Sequence, residues 1–288
     1  MIKTNIDRVV MQSVMGKVHN PTVRKTVQRF TAEDKAVAFP TVGGICYNVT
    51  IGDSVYGWAG DHIEPDVSLH NSDSQENDAL NFLSCIGNEA TVISGDAKGK
   101  KGYVTGMHGG IQHTMVWFDE ETKQQLCPDD KVLVKGWGQG LALTDFPDIR
   151  VLNIDPLLFN KLPIEQKEGK LIVEVTAIVP AHFMGSGIGS GDAATGDYDI
   201  MTADRESIKK CGLSELRFGD IVFLQDCDTT IGRGYLLGSG TVGVVVHSDC
   251  LIVGHGPGVT SILTSRKNLL VPKINKNANI GRLLGIIK

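Results

Sequence analysis

The chain has 288 residues, of which 41% are hydrophobic, and its formal net charge at pH 7 is −5. The hydrophobic content excludes a disordered chain, since disordered proteins contain too few apolar residues to bury a core, and no run of about 18 apolar residues is present that would span a membrane. Glycine accounts for 34 residues without a Gly-X-Y repeat, which excludes collagen.

Ten short runs rich in Val, Ile and Thr are bounded by Gly, Asp or Asn, a pattern typical of β-strands. The two runs that flank Ser248 and Asp249 also predict a tight hairpin at these two residues. The predicted strands are Ile45–Ile51, Ala90–Ser94, Tyr103–Thr105, Thr114–Phe118, Lys131–Lys135, Leu171–Val179, Asp220–Leu224, Thr241–His247, Cys250–Val253 and Thr260–Thr264.

Apolar residues at helical spacing are found in few places. They predict a helix over Ser74–Ile86 that ends at Gly87, and shorter helices over Asp155–Asn160 and Asp204–Cys211. A weaker pattern predicts a fourth helix over residues 24–37. We therefore predict an α+β fold that is mainly antiparallel β-structure with a few helices.

The polar segment KLPIEQKEGK at residues 161–170 has the composition of a linker or a hairpin loop. We predict a single compact domain over residues 1–288. The alternative is two subdomains, residues 1–163 and residues 164–288, of which the second contains the Gly-rich loops.

The six cysteines are widely spaced and form no C-x-x-C pair, so neither a disulfide scaffold nor a zinc finger is indicated. The first 18 residues lack the apolar core of a signal peptide. We therefore expect a cytoplasmic protein with no membrane association.

Residues 88–104, NEATVISGDAKGKKGYV, are similar to the KOW motif of small SH3-like barrels in ribosomal proteins and transcription factors. The resemblance implies a β-hairpin whose loop lysines, here Lys98, Lys100 and Lys101, contact RNA. Residues 265–288 add six Lys or Arg residues and no acid. The acidic balance of the whole chain argues against nucleic acid as the partner, because phosphate binding needs clustered cations.

Two segments contain imidazole groups, and the first of them also contains carboxylates. Residues 60–66 read GDHIEPD and residues 106–113 read GMHGGIQH. Such side chains suit a divalent metal, zinc or another. We predict Asp61, His62, His108 and His113 as metal ligands, the alternative being polar loop residues that cap backbone groups.

Three further segments contain candidate catalytic residues, all in or beside Gly-rich turns. Residues 185–200 contain Asp197 and Asp199, which we predict as general bases. Arg233 ends DCDTTIGR, where Asp226 and Asp228 would share one face of a strand, and Arg233 would stabilise an oxyanion together with Gly-loop amides. His255, in GHGPGVT, would protonate a leaving nitrogen.

Several segments, found in order over roughly residues 40–265, resemble the bacterial domain-of-unknown-function family DUF4438. The family has no established activity, and the resemblance implies a compact single-chain fold. The segments are GGICYNVTIGD, GDHIEPD, ALNFLSCIGNEATVISGDAKGKKGYVTGMHGG, GQGLALTDFPD, GDYDIMT, and GRGY, GVVVH and GHGPGVT.

A local resemblance concerns residues 189–200, which are similar to the segment G-D-x-H-A-A-x-G-D-G-E-V of the acetamidase/formamidase family. Gly189, Ala193, Ala194, Gly196 and Asp197 match it directly. Ser190 stands in place of that family's Asp, Asp192 in place of its His, and Asp199 in place of its Glu.

These observations predict a hydrolase that cleaves the C–N bond of a small amide, assisted by a divalent metal. A small-molecule substrate and a homo-oligomeric state are expected. The alternative is a non-catalytic binding or assembly protein that contacts RNA or partner subunits through the KOW-like hairpin and the basic C-terminal segment.

Overall fold

A computed structural model of the chain describes residues 2–22, 29–30, 36–37, 39–187, 191–250 and 252–288. Within these ranges the strands are β1 (Met11–Val18), β2 (Arg29–Phe30), β3 (Ala36–Val37), β4 (Val67–His70), β5 (Glu89–Val92), β6 (Lys101–His108), β7 (His113–Trp117), β8 (Lys131–Trp137), β9 (Arg150–Val151), β10 (Ile164–Lys167), β11 (Lys170–Val175), β12 (Ala177–Val179), β13 (Tyr198–Asp199), β14 (Ile221–Asp228), β15 (Gly234–Val245), β16 (Gly258–Ser265) and β17 (Leu270–Ile274). The α-helices are α1 (Ser74–Leu83), α2 (Glu120–Gln125), α3 (Pro156–Phe159), α4 (Arg205–Lys210) and α5 (Ile280–Leu284). The predicted α+β class, mainly antiparallel β, is confirmed.

Six strands form a closed barrel in the order β1-β4-β7-β6-β5-β8, and every neighbouring pair is antiparallel. Alternate side chains of these strands point inward and fill the barrel with small aliphatic groups such as Val92, Val104 and Val134. The predicted KOW-like hairpin is the β5–β6 pair, so it forms part of this barrel.

A second sheet lies in the C-terminal half, with strand order β12-β14-β15-β16-β13 and β9 paired to β16. A three-stranded sheet, β10-β11-β17, packs beside it and brings the basic C-terminal segment into the fold. One hydrophobic core contains Ile86 and Met115 from the N-terminal half together with Val246 and Ile262 from the C-terminal half. The thiols of all six cysteines are free.

Hydrogen bonds join the barrel directly to the second sheet. The Thr260 hydroxyl, on β16, donates to the Met107 carbonyl on β6 over 3.1 Å, and the Met107 amide lies 3.4 Å from the same hydroxyl. The end of the β6–β7 hairpin is therefore held against β16. No helix among the described residues combines the length and apolar character needed to cross a membrane.

Two predicted strands are wrong. Ile45–Ile51 forms no regular strand, and its ladder is limited to an isolated bridge between Ile45 and Val67. Side chains bind the end of the segment: the amide of Thr50 donates to Asp53 and that of Ile51 donates to Asp66. The described part of Cys250–Val253 is a turn, in which the Ile252 amide points to the Cys250 sulfur. Residue 251 lies outside the described residues. The predicted hairpin at Ser248 and Asp249 is therefore absent.

Side-chain caps fix the helix starts. Asp73, Asp155 and Asp204 each accept hydrogen bonds from backbone amides of the first turn of α1, α3 and α4. The helix α1 ends at Leu83, before the predicted stop. The predicted helix over residues 24–37 is wrong where the chain is described, since Arg29–Phe30 pairs with Ala36–Val37 as strands, and its other residues lie outside the described ranges.

The basic features of the sequence are largely paired with acids. Lys100 lies 3.0 Å from Glu121 and Lys101 lies 3.1 Å from Glu89, whereas Lys98 is exposed. In the C-terminal segment, Lys267 lies 2.8 Å from Asp148. The segment is not a tail, because it forms β17 and α5.

A buried ion pair secures the irregular segment beside the barrel. Lys123 on α2 is 2% exposed; its ammonium lies 3.3 Å from the Asp66 carboxylate and donates to the Cys46 carbonyl. Burial raises the pKa of Asp66 to about 7, although the Thr50 hydroxyl and Lys123 favour its ionised form. The pair thus links α2, residues 46–51 and the start of β4.

We expect Lys123→Met to lower the free energy of unfolding by about 3–5 kcal/mol near pH 8, because it leaves a buried carboxylate without its partner. The double variant with Asp66→Asn should lose less, since no charge then remains unpaired. Urea unfolding followed by circular dichroism measures both. Lys98→Met is the exposed control and should change the free energy by less than about 0.5 kcal/mol; equal losses for the two lysine variants would contradict the assignment.

Asp66 also makes stability depend on pH. The pKa of Asp66 is about 7 in the folded chain and about 3.9 in the unfolded chain. The folded chain therefore retains the proton to a higher pH than the unfolded chain does. The stabilisation is complete below about pH 4 and is lost as the pH rises through about 7. We expect the wild type to lose stability relative to Asp66→Asn between about pH 4 and pH 7; a constant difference in unfolding free energy would refute this.

Candidate functional site

Seven of the eight histidines gather where the barrel meets the second sheet. The eighth, His182, is exposed elsewhere. The seven fall into two groups of neighbouring rings. The central cluster comprises His62, His108, His247 and His255 together with Asp197, Asp199 and Cys250, and the outer triad comprises His19, His70 and His113.

The ends of strands from both halves of the chain supply the central cluster. His108 ends β6 in the barrel, Asp199 lies in β13, and His247 follows the last residue of β15 by two positions. Rings of His108 and His247 stack with centroids 4.2 Å apart, and His62 lies 5.0 Å from His247. Contact between the barrel and the sheet therefore assembles the cluster.

His247 is the most confined member of the central cluster. Its side chain is fully buried; Nδ1 lies 2.9 Å from the Ser248 carbonyl, to which it donates, and Nε2 lies 2.8 Å from Asp197 Oδ2 and 3.3 Å from Asp199 Oδ1. Burial lowers the pKa of His247, but the two carboxylates outweigh it and raise the pKa well above its usual value. Nε2 therefore faces a position that favours positive charge.

Asp199 contacts a second imidazole with its other oxygen. Its Oδ2 lies 2.8 Å from Nδ1 of His255, whose side chain is 32% exposed. Burial opposes ionisation of Asp199, but His247 and His255 prevail and hold its pKa well below the usual range. In turn, Asp199 raises the pKa of His255.

Glu64 joins the central cluster to the outer triad. Its carboxylate is 1% exposed and accepts from Nδ1 of His108 over 2.6 Å, from Nδ1 of His113 over 2.9 Å, from the Gly43 amide and from the Ser68 hydroxyl. Burial would raise the pKa of Glu64, but the two imidazoles hold it well below its ordinary range. An ionised Glu64 fixes Nδ1 of His108 as a donor and leaves its Nε2 for another ligand.

Two imidazoles of the outer triad, His19 and His70, have lowered pKa values. Centroids of His113 and His19 lie 4.5 Å apart, and those of His19 and His70 lie 5.0 Å apart. Burial, then the neighbouring His113 and His70, lowers the pKa of His19 to about 4. Burial and His113 also lower the pKa of His70. His19 is therefore uncharged near neutral pH.

Three overlapping groups in the central cluster could hold a metal ion. Within each group the ligand atoms all lie within 4.8 Å of one another. Nitrogen, oxygen and sulfur ligands of these kinds bind zinc and other transition metals. The groups are His62, His108 and His247; His62, Cys250 and His255; and Asp197, Asp199 and His247.

The local backbone is shaped to this cluster. A Cβ atom at Gly258, the first residue of β16, would clash with Asp197 Oδ2 and with the His247 ring. His62 has a φ of 52°, a left-handed conformation that is uncommon for a residue other than glycine. The amide of the next residue, Ile63, donates to the Ser248 hydroxyl over 2.7 Å and anchors this turn beside His247.

Most residues predicted from the sequence lie together. Asp61 Oδ2 lies 3.4 Å from Nδ1 of His62, and His62, His108, Asp197, Asp199 and His255 are all in the central cluster. His113 is separated from the cluster by Glu64 and belongs to the outer triad. Arg233 is exposed, and its charge acts on Tyr198 and Cys227, so its position does not support the oxyanion role.

His247 and Cys250 were not among the predicted site residues, and Glu64 lies in the segment GDHIEPD without a predicted role. His247 closes the run VGVVVH, where a polar residue directly follows a buried strand. Strand ends at a sheet edge commonly carry functional side chains, so that position was a usable signal. No local pattern marks Glu64 as the link between His108 and His113, because both partners are more than 40 residues away.

A cavity of about 490 Å³ is lined by residues that neighbour the site in sequence, and none of the seven residues of the central cluster lines it. Ser248 and Asp249, which line it, directly follow His247, and Gly60 precedes Asp61. Its wall also contains Tyr56, Trp58, Arg205 and Lys209. The cavity thus combines aromatic surface with cationic groups.

Comparison with known proteins identifies a family and a fold. The model for the domain of unknown function (DUF4438), N-terminal, matches residues 28–160, and the model for its C-terminal domain matches residues 161–284. A solved structure titled "Crystal structure of TM1086" is similar, with 48% sequence identity over 98% of both chains and a TM-score of 0.93. No curated protein matches the chain.

We expect Glu64→Ala to lower the free energy of unfolding of the metal-free chain by about 3–5 kcal/mol, because the buried donors around Glu64 lose the carboxylate that accepts from all of them. Glu215→Ala, an exposed glutamate, is the matched control and should stay within about 0.5 kcal/mol. Urea unfolding in the presence of a chelator measures both. A loss at Glu64 as small as that of the control would show that His108 and His113 do not depend on it.

Proposed function

The chain belongs to the DUF4438 family, and we propose that it is a metal-dependent hydrolase that cleaves the C–N bond of a small amide. The observation that carries the proposal is the environment of His247 Nε2. This nitrogen faces two carboxylates at 2.8 and 3.3 Å, while Nδ1 is engaged with the Ser248 carbonyl. A divalent ion fits this nitrogen and its carboxylates.

The neighbouring imidazoles support this choice. His62 and His108 place ligand atoms within 4.8 Å of the His247 ligand atom. Glu64 binds the other nitrogen of His108, the carboxylate–histidine arrangement that orients metal ligands in proteins. When bound, the ion would lower the pKa of a water molecule and polarise the amide carbonyl.

The choice of an amide depends on the loop over residues 189–200. This loop resembles the acetamidase/formamidase segment and supplies Asp197 and Asp199, which both contact His247. Residues 188–190 of the Gly-rich segment lie outside the described residues, so the structure describes this loop from residue 191 onward. The cavity lined by Ser248 and Asp249 would receive the rest of the substrate.

A proton must also pass from the attacking water to the leaving nitrogen. Asp61 belongs to none of the three metal-binding groups, lies next to His62 and is 5% exposed. We assign the proton transfer to Asp61. The sequence predicted this role for His255, but its Nδ1 lies 2.8 Å from Asp199, within the cluster.

The test is a hydrolysis assay on the metal-loaded chain with formamide, acetamide and cyclic amides, following release of ammonia or of the new carboxylate. We expect activity with Zn²⁺, Mn²⁺ or Co²⁺ that a chelator abolishes. His247→Ala should lower kcat/KM by at least ~100-fold, because several kcal/mol of transition-state stabilisation come from the ion.

His182→Ala is the matched control, since His182 is exposed outside the cluster. It should retain both metal and activity. Absence of stoichiometric metal in the loaded wild type, or hydrolysis that persists in His247→Ala, would overturn the proposal.

A further inference from the structure

We propose that the central cluster binds two divalent ions, with the carboxylate of Asp199 as the bridge between them. This inference rests on the proposed function and specifies its metal centre. The first ion would be held by His108, His247, Asp197 and one oxygen of Asp199. The second would be held by His62, His255, Cys250 and the other oxygen of Asp199.

The two oxygens of Asp199 face different imidazoles. Oδ1 lies 3.3 Å from Nε2 of His247, and Oδ2 lies 2.8 Å from Nδ1 of His255. His247 belongs to the group with Asp197, whereas His255 belongs to the group with Cys250. One carboxylate therefore reaches both groups, which is the geometry of a bridging ligand.

The contact between Asp199 and His255 is close without being a hydrogen bond. Nδ1 of His255 is buried and has no hydrogen-bond partner in spite of the 2.8 Å distance, so its lone pair is not aligned with the carboxylate oxygen. Two side chains that bind the same ion also lie close together without a hydrogen bond between them, because each directs its lone pair at the ion. Bonds of about 2.0–2.2 Å in a tetrahedral site separate such atoms by about 3 Å.

The number of ligands exceeds what a single tetrahedral ion uses. Seven side chains contribute to the three overlapping groups, and a four-coordinate zinc site takes four. His62 and His247 each appear in two groups, but one ring nitrogen binds one ion. Two ions with a shared Asp199 give each ion four ligands and use all seven side chains.

The charge of the region also favours two ions. Four carboxylates are nearly buried, with Asp61, Asp197, Asp199 and Glu64 at 5%, 5%, 6% and 1% exposure. Buried carboxylates require compensating positive charge. Two divalent ions supply it, and ions about 3.5–4 Å apart are a known arrangement for activating water against a polarised substrate.

The test titrates the metal-free full chain with Co²⁺ and follows bound metal per chain, the thiolate-to-cobalt absorption band and the electron paramagnetic resonance spectrum. We expect two ions per chain, a thiolate band and a spectrum weakened by coupling between the ions. Cys250→Ser should lose the thiolate band, and Asp199→Asn should lose the coupling and weaken the second ion by at least ~100-fold.

Asp192→Asn is the matched control, because Asp192 lies in the same loop and its carboxylate accepts from the Ala194 amide, which an asparagine can also do. It should behave as the wild type. Saturation at one ion per chain with amide hydrolysis intact would overturn the two-ion centre and leave the proposed function standing. Two bound ions without coupling would refute the Asp199 bridge, and no bound ion would refute both proposals.

Discussion

The structure of the site depends on one buried carboxylate. Glu64 lies between His108 and His113, which are at the two ends of the β6–β7 turn, and it also accepts from the Gly43 amide and the Ser68 hydroxyl. A buried charge with four donors is stable only while all of them stay in place. The turn of the barrel hairpin, the loop before β4 and both histidine groups are therefore held in one arrangement by one side chain.

That arrangement is possible because two separately packed parts of the chain meet at the cluster. Val92 and Val134 fill the barrel, while Val246 and Ile262 pack with Ile86 and Met115 between barrel and sheet. Rigid apolar packing on both sides fixes the imidazoles that project from strand ends. The close approach at Gly258 shows how tightly the second sheet fits against His247 and Asp197.

Local sequence patterns predicted much of the fold. Short local patterns marked three helices, and Val-rich runs marked most of the sheet strands. One error fell where the side chain of a more distant residue binds the backbone in place of a strand, as Asp66 does for Ile51. Such pairing is set by tertiary contacts, which no window of sequence contains.

The sequence indicated which residues belong to the site better than it indicated which of them contact one another. Pooling of His and Asp in Gly-rich turns indicated six residues that lie together, including Asp61 and His255. The roles of His247, Cys250 and Glu64 depend on partners from other strands, and Arg233 was chosen for its charge alone. Residue type thus indicated the chemistry, while the strand ends determined which groups meet.

The two D-x-D segments show why spacing alone was insufficient. Asp197 directly precedes β13 and Asp199 ends it, so the two acids flank Tyr198, which is 1% exposed in the core. Alternation along an extended chain therefore directs both carboxylates to His247 while the tyrosine points the other way.

Asp226 and Asp228 have the same spacing in β14, but a bulge falls between Gln225 and Cys227, and Asp226 has a φ of 53°. The bulge breaks the alternation. The carboxylate of Asp226 accepts from the Gly238 amide, and that of Asp228 accepts from the Thr230 amide and pairs with Arg266. Two acids at this spacing form a site only where the backbone between them stays regular and the intervening side chain packs in the hydrophobic core.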